Sequence, residues 1–241
     1  MTLAEILVGL FPDGHDVAVA DGLILGTGRR AGGKPVHVLG LAEGTPLGIE
    51  GALTLAGRVL AIARSGDGAL ILMPVDSSSQ RMSRRDELLG LNEYLAHLAK
   101  ALMLAEAEGH RTLGLLYGRS AAGAFIATAL ATGHLVALPG AHPEVMDLPS
   151  MARVTKLSLD VLTEKARATA VFAPGLDNLV QTGAIHETWD LRRSLAEQLE
   201  ACLAAPQASG DCRDRLGWER GGRTRAAAIA ERVAARVADH A

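Results

Sequence analysis

The sequence has few aromatic residues: two Trp, two Tyr and three Phe in 241 residues. That scarcity excludes base-stacking platforms and aromatic cages, which need several exposed rings. It leaves Ala, Leu, Val and Ile to build the core. There is no excess of positive charge either. Lys and Arg number 24 against 27 Asp and Glu, a net charge of −3, so binding of nucleic acid through bulk charge is excluded. The two cysteines, Cys202 and Cys212, lie in a late polar stretch with no CxxC spacing and no His cluster beside them in the chain. Free thiols in a reducing cytoplasm are expected, and no metal site. No apolar run reaches the roughly 18 residues of a membrane helix. The first thirteen residues carry no basic region ahead of their short apolar run, unlike a secretory leader. The expectation is a cytoplasmic protein with neither membrane nor nucleic acid as a partner.

What is present is a globular composition, 49% hydrophobic and 21% charged, in a chain long enough for one large domain or two small ones. Strand and helix signals alternate. Residues 17–25 read as a strand interrupted by Asp21-Gly22, and residues 35–41 as a second; a glycine-rich turn at 26–34 makes them an antiparallel ribbon. Residues 49–64 have helical spacing, stopped by Gly66-Asp67-Gly68. The apolar run 69–75 reads as a strand buried on both faces. A serine-rich loop at 76–83 leads into one long helix, 84–108, capped by Gly109. Residues 112–117 form another strand, 118–123 a small-residue turn, 124–132 a helix, 135–139 a strand and 150–167 a helix. Beyond residue 170 the pattern loses its strands: a short helix within 173–183, a helix at 189–204, a polar loop at 206–222 and an amphipathic helix at 223–238.

The unit strand, small-residue loop, helix occurs twice in the centre. Small residues let a ligand approach the backbone, and the N–H groups of a helix start have no intrahelical acceptor, so such loops can hold an anion or a developing oxyanion. Tight packing of helix on strand explains the same pattern. The GRSAA run also resembles part of a nucleophile elbow with Ser120 as nucleophile, for which Asp177 and His186 are available partners. A P-loop fails for want of GK[ST]. The run from Gly26 to Ala31 mimics a dinucleotide fingerprint but precedes a strand. The eight histidines, from His15 to His240, show no ligand spacing. His142 and Glu144, just after a strand, can supply a proton near the central loops, or simply be surface polar groups. Arg81, Arg84 and Arg85 flank the serine-rich loop and can grip a phosphate or carboxylate, or stand solvated.

The runs GIEGALTLAGRVLAIARSGDGALILMPVDSSS and GLLYGRSAAGAFIATALATG resemble the carboxyltransferase α-subunit of acetyl-CoA carboxylase, a crotonase-superfamily protein. GRSAAGAF, FAPGLDN and RLGWERGGRT narrow the likeness to the γ-subunit of the biotin-independent malonate decarboxylases. Ser78-Ser79 stands where the carboxylase has Pro-Gly, and its glycine-richer turn is diluted to Ser120-Ala121-Ala122-Gly123-Ala124. The resemblance implies an α/β fold, a crotonase-like (ClpP/crotonase) spiral of ββα units with additional C-terminal helices. It implies one domain over residues 1–241, with a core of about 12–170 and a helical region of about 171–241. It also implies a malonate decarboxylase β-subunit as partner, and an active site shared with it. The substrate would be a malonyl thioester on an acyl-carrier protein subunit, carried by a phosphopantetheine-type (dephospho-CoA-derived) arm; this chain itself would hold no cofactor, no biotin and no metal. Two backbone N–H donors would polarise the reacting carbonyl. By the resemblance the second is Gly123, with Ala124 beside it, and the first lies among Ser78, Ser79 and Gln80. His142 or Glu144 would be the general acid, and Arg81, Arg119 and Ser120 would contact substrate. Ile126 stands where enoyl-CoA hydratases keep a glutamate, which excludes a hydratase-type acid there. The loops serve either the thioester carbonyl or the departing carboxylate. A biotin-dependent carboxyltransferase or decarboxylase subunit, a scaffold that only holds the β-subunit, and a serine hydrolase using Ser120 remain as alternatives.

Overall fold

The computed structural model describes residues 1–170, 173–206 and 210–238. Phe172 of the FAPGLDN run, His240 and part of the expected loop at 206–222 lie outside the described residues. Contacts divide the chain into two compact units, one of residues 1–145 and 187–206, the other of residues 146–186 and the described residues after 206.

The first unit begins with α1 (Leu3–Leu10), whose Thr2 and Glu5 form a reciprocal capping box. Strands β1 (Ala18–Ala20) and β2 (Leu23–Arg29) pair antiparallel around Asp21-Gly22. Both turn residues have positive φ, 51° and 74°, the backbone that a two-residue hairpin needs. Strand β2 runs on through the expected turn to pair with β3 (Pro35–Leu41). From β3 the sheet continues parallel through β4 (Leu70–Ser77), β5 (Thr112–Ala121), β6 (His134–Ala137) and the two-residue β8 (Glu187–Thr188); β7 (His142–Glu144) pairs with the far end of β5.

Helices cover both faces, as a parallel sheet requires. Alternate residues Val36 and Val38, Leu70 and Leu72, Leu113 and Leu115, and Val136 and Leu138 pack with α1 and α9 (Leu195–Ala204). The intervening Ile71, Met73 and Val75 are equally buried, on the face served by α2 (Ile49–Ser65) and α4 (Leu91–Ala107). The single helix expected at 84–108 is two, α3 (Arg84–Leu88) and α4, because Gly90 takes φ +83° and breaks the helical run. Helix α5 (Ala122–Ala127) starts earlier and ends sooner than expected, with a 3₁₀ turn at Ala129–Ala131. Residues 189–194, expected to be helical, precede α9 as loop, because β8 and Trp189 are held at the sheet edge: the Trp189 N–H donates to Ala137 O at 2.9 Å.

The second unit is helical: α6 (Leu148–Thr155), α7 (Leu159–Ala168), α8 (Leu176–Gln181), α10 (Arg213–Glu219) and α11 (Ala226–Ala238). The helix expected at 150–167 is interrupted at Lys156, whose φ of +63° ends α6. Helix α10 lies within the expected polar loop. The Arg220 guanidinium follows it and donates to the carbonyls of Val180, Ile185 and His186 at 2.7–2.8 Å. Among the described residues no helix is long and apolar enough to cross a membrane.

Candidate active site

Strand β4 carries Asp76 and Ser77 past the expected end at Val75, and its ladder with β5 shifts register between Val75 and Ser77. The fully buried Ser77 hydroxyl donates to Thr45 O at 2.7 Å. The Ser78 N–H donates to Gly44 O at 3.1 Å. That bond removes Ser78 from the expected first-donor set, since a donor already bonded within a packed loop has nothing to offer a ligand. Leu47 and Gln80 form a parallel bridge, with Leu47 N–H on Ser79 O and Arg81 N–H on Leu47 O. In that pattern the N–H groups of Ser79 and Gln80 have no acceptor among the described residues.

The expected turn at 118–123 is mostly strand. Residues 118–121 extend β5 because it is paired on both edges there: Ser120 lies opposite Ser77 of β4 and opposite Pro143 of β7. The Asp76 carboxylate leaves room for nothing but hydrogen on Gly118, where a Cβ would come within 2.3 Å of Asp76 Cγ, and it accepts the Arg119 N–H at 2.9 Å. The chain turns at Ala122, whose φ of +52° is rare for a residue with a Cβ. Helix α5 follows without a side-chain cap. In its first turn the Gly123 N–H donates to the Gln80 side-chain oxygen at 2.8 Å, so the two central loops meet there. A Cβ on Gly123 would press on Leu95 at 3.1 Å and on Gln80 at 3.2 Å. Ala124 is fully buried, and Ile126 is half-exposed.

Ser120 fits neither expected role. Its side chain, one residue before the end of β5, is fully buried, and among the described residues its Oγ has no hydrogen-bond partner. A nucleophile elbow puts the serine at the strained turn; here that place belongs to Ala122. Asp177 and His186 belong to the second unit. Arg81 is committed as well. Its Nε and Nη2 grip the buried Asp86 carboxylate at 2.6 and 2.9 Å, and Nη2 also reaches Glu50, which Arg85 shares. The Arg81 guanidinium holds the Asp86 carboxyl below its usual range. Glu50 is pulled down to about 2, first by its own backbone N–H and then by Arg85 and Arg81. Arg119 is more than half exposed and pairs with Glu144 at 3.0 Å. The register puts His142 opposite Arg119 and Glu144 opposite Ala121, so the candidate acids do lie beside the end of β5.

The malonate decarboxylase gamma subunit family model matches residues 42–237. The chain belongs to this family. Among curated proteins it is 30% identical, over 166 residues, to the malonyl-S-ACP:biotin-protein carboxyltransferase MADD of Malonomonas rubra; the match covers 64% of this chain and 57% of that protein's length. Its fold is that of a Pseudomonas malonate decarboxylase hetero-tetramer crystallised with coenzyme A, at TM-score 0.71 and 24% identity over 89% of this chain and 90% of that one. It is also that of transcarboxylase 12S, at TM-score 0.68 and 16% identity over 87% of this chain and 43% of that one. The crotonase-like fold read from the sequence is therefore present.

In this member of the gamma subunit family, sequence reasoning missed the Gln80 side chain, which it took only as a backbone donor, and the Asp76 carboxylate that fixes the end of β5. A signal for Asp76 was there: an acid ending an otherwise apolar strand needs donors, and the nearest glycine-rich segment supplies them. It also missed the surroundings of Cys202, beside which the fold sets His134 and Glu187.

Proposed function

We propose that this chain is the γ half of a malonyl-thioester decarboxylase whose site is completed by a β-subunit. The substrate is malonyl thioester on a phosphopantetheine-type arm of an acyl-carrier protein. The C–C bond to the carboxylate breaks and CO₂ leaves. The electron pair passes into an enolate of the acetyl thioester, and a proton then adds to the enolate carbon. The observation that carries this reading is the Gly123 N–H, in the uncapped first turn of α5, already holding a carbonyl oxygen from the loop of Ser79 and Gln80 at 2.8 Å. Gln80 Oε1 occupies the place of the oxygen that becomes anionic, and an N–H of Ser79 or Gln80 supplies the second donor. Removing one such donor typically costs about 2.7–4 kcal/mol of transition-state stabilisation. His142 and Glu144, on β7 beside the end of β5, are the acids assigned to protonate the enolate. The chain acts in the cytoplasm, needs no biotin and contributes no nucleophile.

The Pseudomonas structures support the partner: one is of an MdcD–MdcE hetero-dimer, and another, at 25% identity, is of a hetero-tetramer with malonate. The Malonomonas relative, named for transfer to a biotin protein, favours a second reading, in which the carboxyl group passes from the malonyl thioester to the biotin of a carrier protein, giving carboxybiotin and the acetyl thioester. The test measures CO₂ release from malonyl thioester on its carrier protein, with this chain, its co-purified partner and the two together, with and without avidin. Release only by the mixture, untouched by avidin, is expected. Loss to avidin moves the assignment to the biotin-dependent branch. Gly123→Val should abolish release while the complex stays assembled; full activity in that variant overturns the donor assignment.

A further inference from the structure

A second convergence of reactive groups lies in the first unit, at the β6–β8 edge of the sheet. Glu187 of β8 pairs with Val136 of β6. His134 is two residues before Val136, and side chains alternate along a strand, so His134 and Glu187 emerge diagonally on one face. Helix α9 crosses that face: Val136, Trp189, Leu199 and Cys202 belong to a single apolar cluster. His134 Nε2 lies 3.5 Å from Glu187 Oε1. The ligand atoms of His134, Glu187 and Cys202 all lie within 4.8 Å of one another. The Trp189 indole N–H donates to Glu187 Oε1 at 3.1 Å. Cys202 is buried, Glu187 is exposed, and His134 is partly exposed with its Nε2 turned inward.

We propose that His134, Glu187 and Cys202 form a binding site for a zinc-class divalent cation. One imidazole nitrogen, one carboxylate oxygen and one thiolate are the donor set that borderline-soft cations take, with water as a fourth ligand. Bonds of about 2.0–2.3 Å put tetrahedral donors roughly 3.3–3.8 Å apart. The cluster therefore closes by about 1 Å on binding, which rotation of the exposed Glu187 side chain and the partly exposed His134 ring can supply. Binding replaces the Cys202 S–H by a metal–thiolate bond and sends the proton to the buffer. Trp189 holds the carboxylate from the outer side, as outer partners of metal ligands do. The cation would tie α9 and β8 to β6, where the ladder is only Val136↔Glu187 and Ala137↔Thr188. It is a clamp on the sheet edge and takes no part in decarboxylation.

The test uses the full chain, stripped with chelator, in a Cys212→Ser background that leaves one thiol. Cadmium is titrated while its ultraviolet thiolate charge-transfer band is followed, and zinc by calorimetry. One equivalent per chain is expected, with the band present and the melting temperature raised by zinc. Cys202→Ser should abolish the band. His134→Gln and Glu187→Gln change groups outside the apolar cluster, should keep the fold by circular dichroism, and should weaken zinc by at least about tenfold. No saturable binding at one equivalent, a band that survives Cys202→Ser, or unchanged zinc affinity in His134→Gln overturns the site.

Discussion

Gln80 already satisfies the donor on which the proposed chemistry depends. In the free chain the Gly123 N–H is bonded to Gln80 Oε1 at 2.8 Å, so a substrate carbonyl must displace that oxygen before it can be polarised. A typical internal hydrogen bond contributes about 0.5–1.5 kcal/mol net, which corresponds to about 2- to 13-fold in an equilibrium constant. Gln80→Ala removes the competitor and leaves the backbone donors in place. In CO₂ release by the assembled enzyme, KM should fall by about 2- to 13-fold with kcat unchanged, because the bond is already broken in the bound complex. Gln80→Glu should move the other way. A carboxylate on the same N–H is a charge-assisted acceptor of about 1.5–3 kcal/mol, harder to displace, so KM should rise above that of the parent. The pair of variants therefore brackets the parent. A Gln80→Ala enzyme with kcat reduced tenfold or more at constant KM refutes the reasoning, since Gln80 would then contribute to the transition state itself.

Ser120→Ala removes a buried hydroxyl without a partner. It should relieve a desolvation penalty of about 1–3 kcal/mol and raise the melting temperature by about 2–4 °C per kcal/mol, with turnover retained; fluorophosphonate labelling that disappears in this variant would restore the hydrolase reading. Gly118→Ala forces a Cβ against Asp76 and should lower stability by about 1–3 kcal/mol, part of which Asp76→Ala recovers in the double variant; additive losses would show that the clash is not the cause. For Glu50 the folded carboxyl titrates at about 2 against an ordinary 4.5, so its pairing stabilises the fold fully above pH 4.5 and the effect is lost as pH falls towards 2. Parallel acid-unfolding curves of the parent and Glu50→Gln at low salt would contradict that; the difference should shrink at high salt, since the pair faces solvent.

Much of the first unit is legible from the sequence because its elements are local. The apolar run that became β4 and the spacing of Leu55, Ala56 and Val59 on α2 each state their conformation within a few residues, whereas Asp21-Gly22, read as a break within one strand, is the turn between β1 and β2. The errors fall where a distant neighbour decides. Residues 118–121 are small and turn-like, yet they are strand because β4 and β7 pair with them from both sides. Glu187-Thr188 is too short to show alternation, and it is a strand only because β6 offers an edge. Gly90, with no cap beside it, reads as a tolerated glycine within a leucine-rich helix until its positive φ is seen. The same division holds at the site. Gly123 and the 78–80 loop follow from order along the chain and from family resemblance. That Ser78 is already bonded, that Gln80 reaches across to Gly123, and that Arg81 serves Asp86 all depend on contacts between elements.

Those contacts bear on how the chemistry would work. Three charged side chains at the junction have partners within the chain: Arg81 on Asp86 and Glu50, Arg119 on Glu144, and Asp76 on the Arg119 N–H. The polarity left over is in backbone N–H groups, held by a strained Ala122 and by a loop hydrogen-bonded to residues 44–47. Paired side chains and fixed dipoles add little long-range field to the substrate's own carboxylate, which must lose its charge as CO₂ departs. A free arginine at that place would stabilise the starting malonyl carboxylate and so slow its loss, since only interactions stronger in the transition state accelerate a reaction. Fixed N–H donors that meet the carbonyl oxygen as it gains charge have the opposite effect. Freeing Arg119 therefore tests this directly. Glu144→Gln leaves the guanidinium unpaired beside β5 but also removes a candidate acid, so it is compared with the double variant Glu144→Gln/Arg119→Gln, which lacks both; the single variant should show the lower KM for the malonyl thioester and the lower kcat of the two. Equal kcat in the two variants would place the substrate carboxylate beyond the reach of Arg119, on the partner's side of the site.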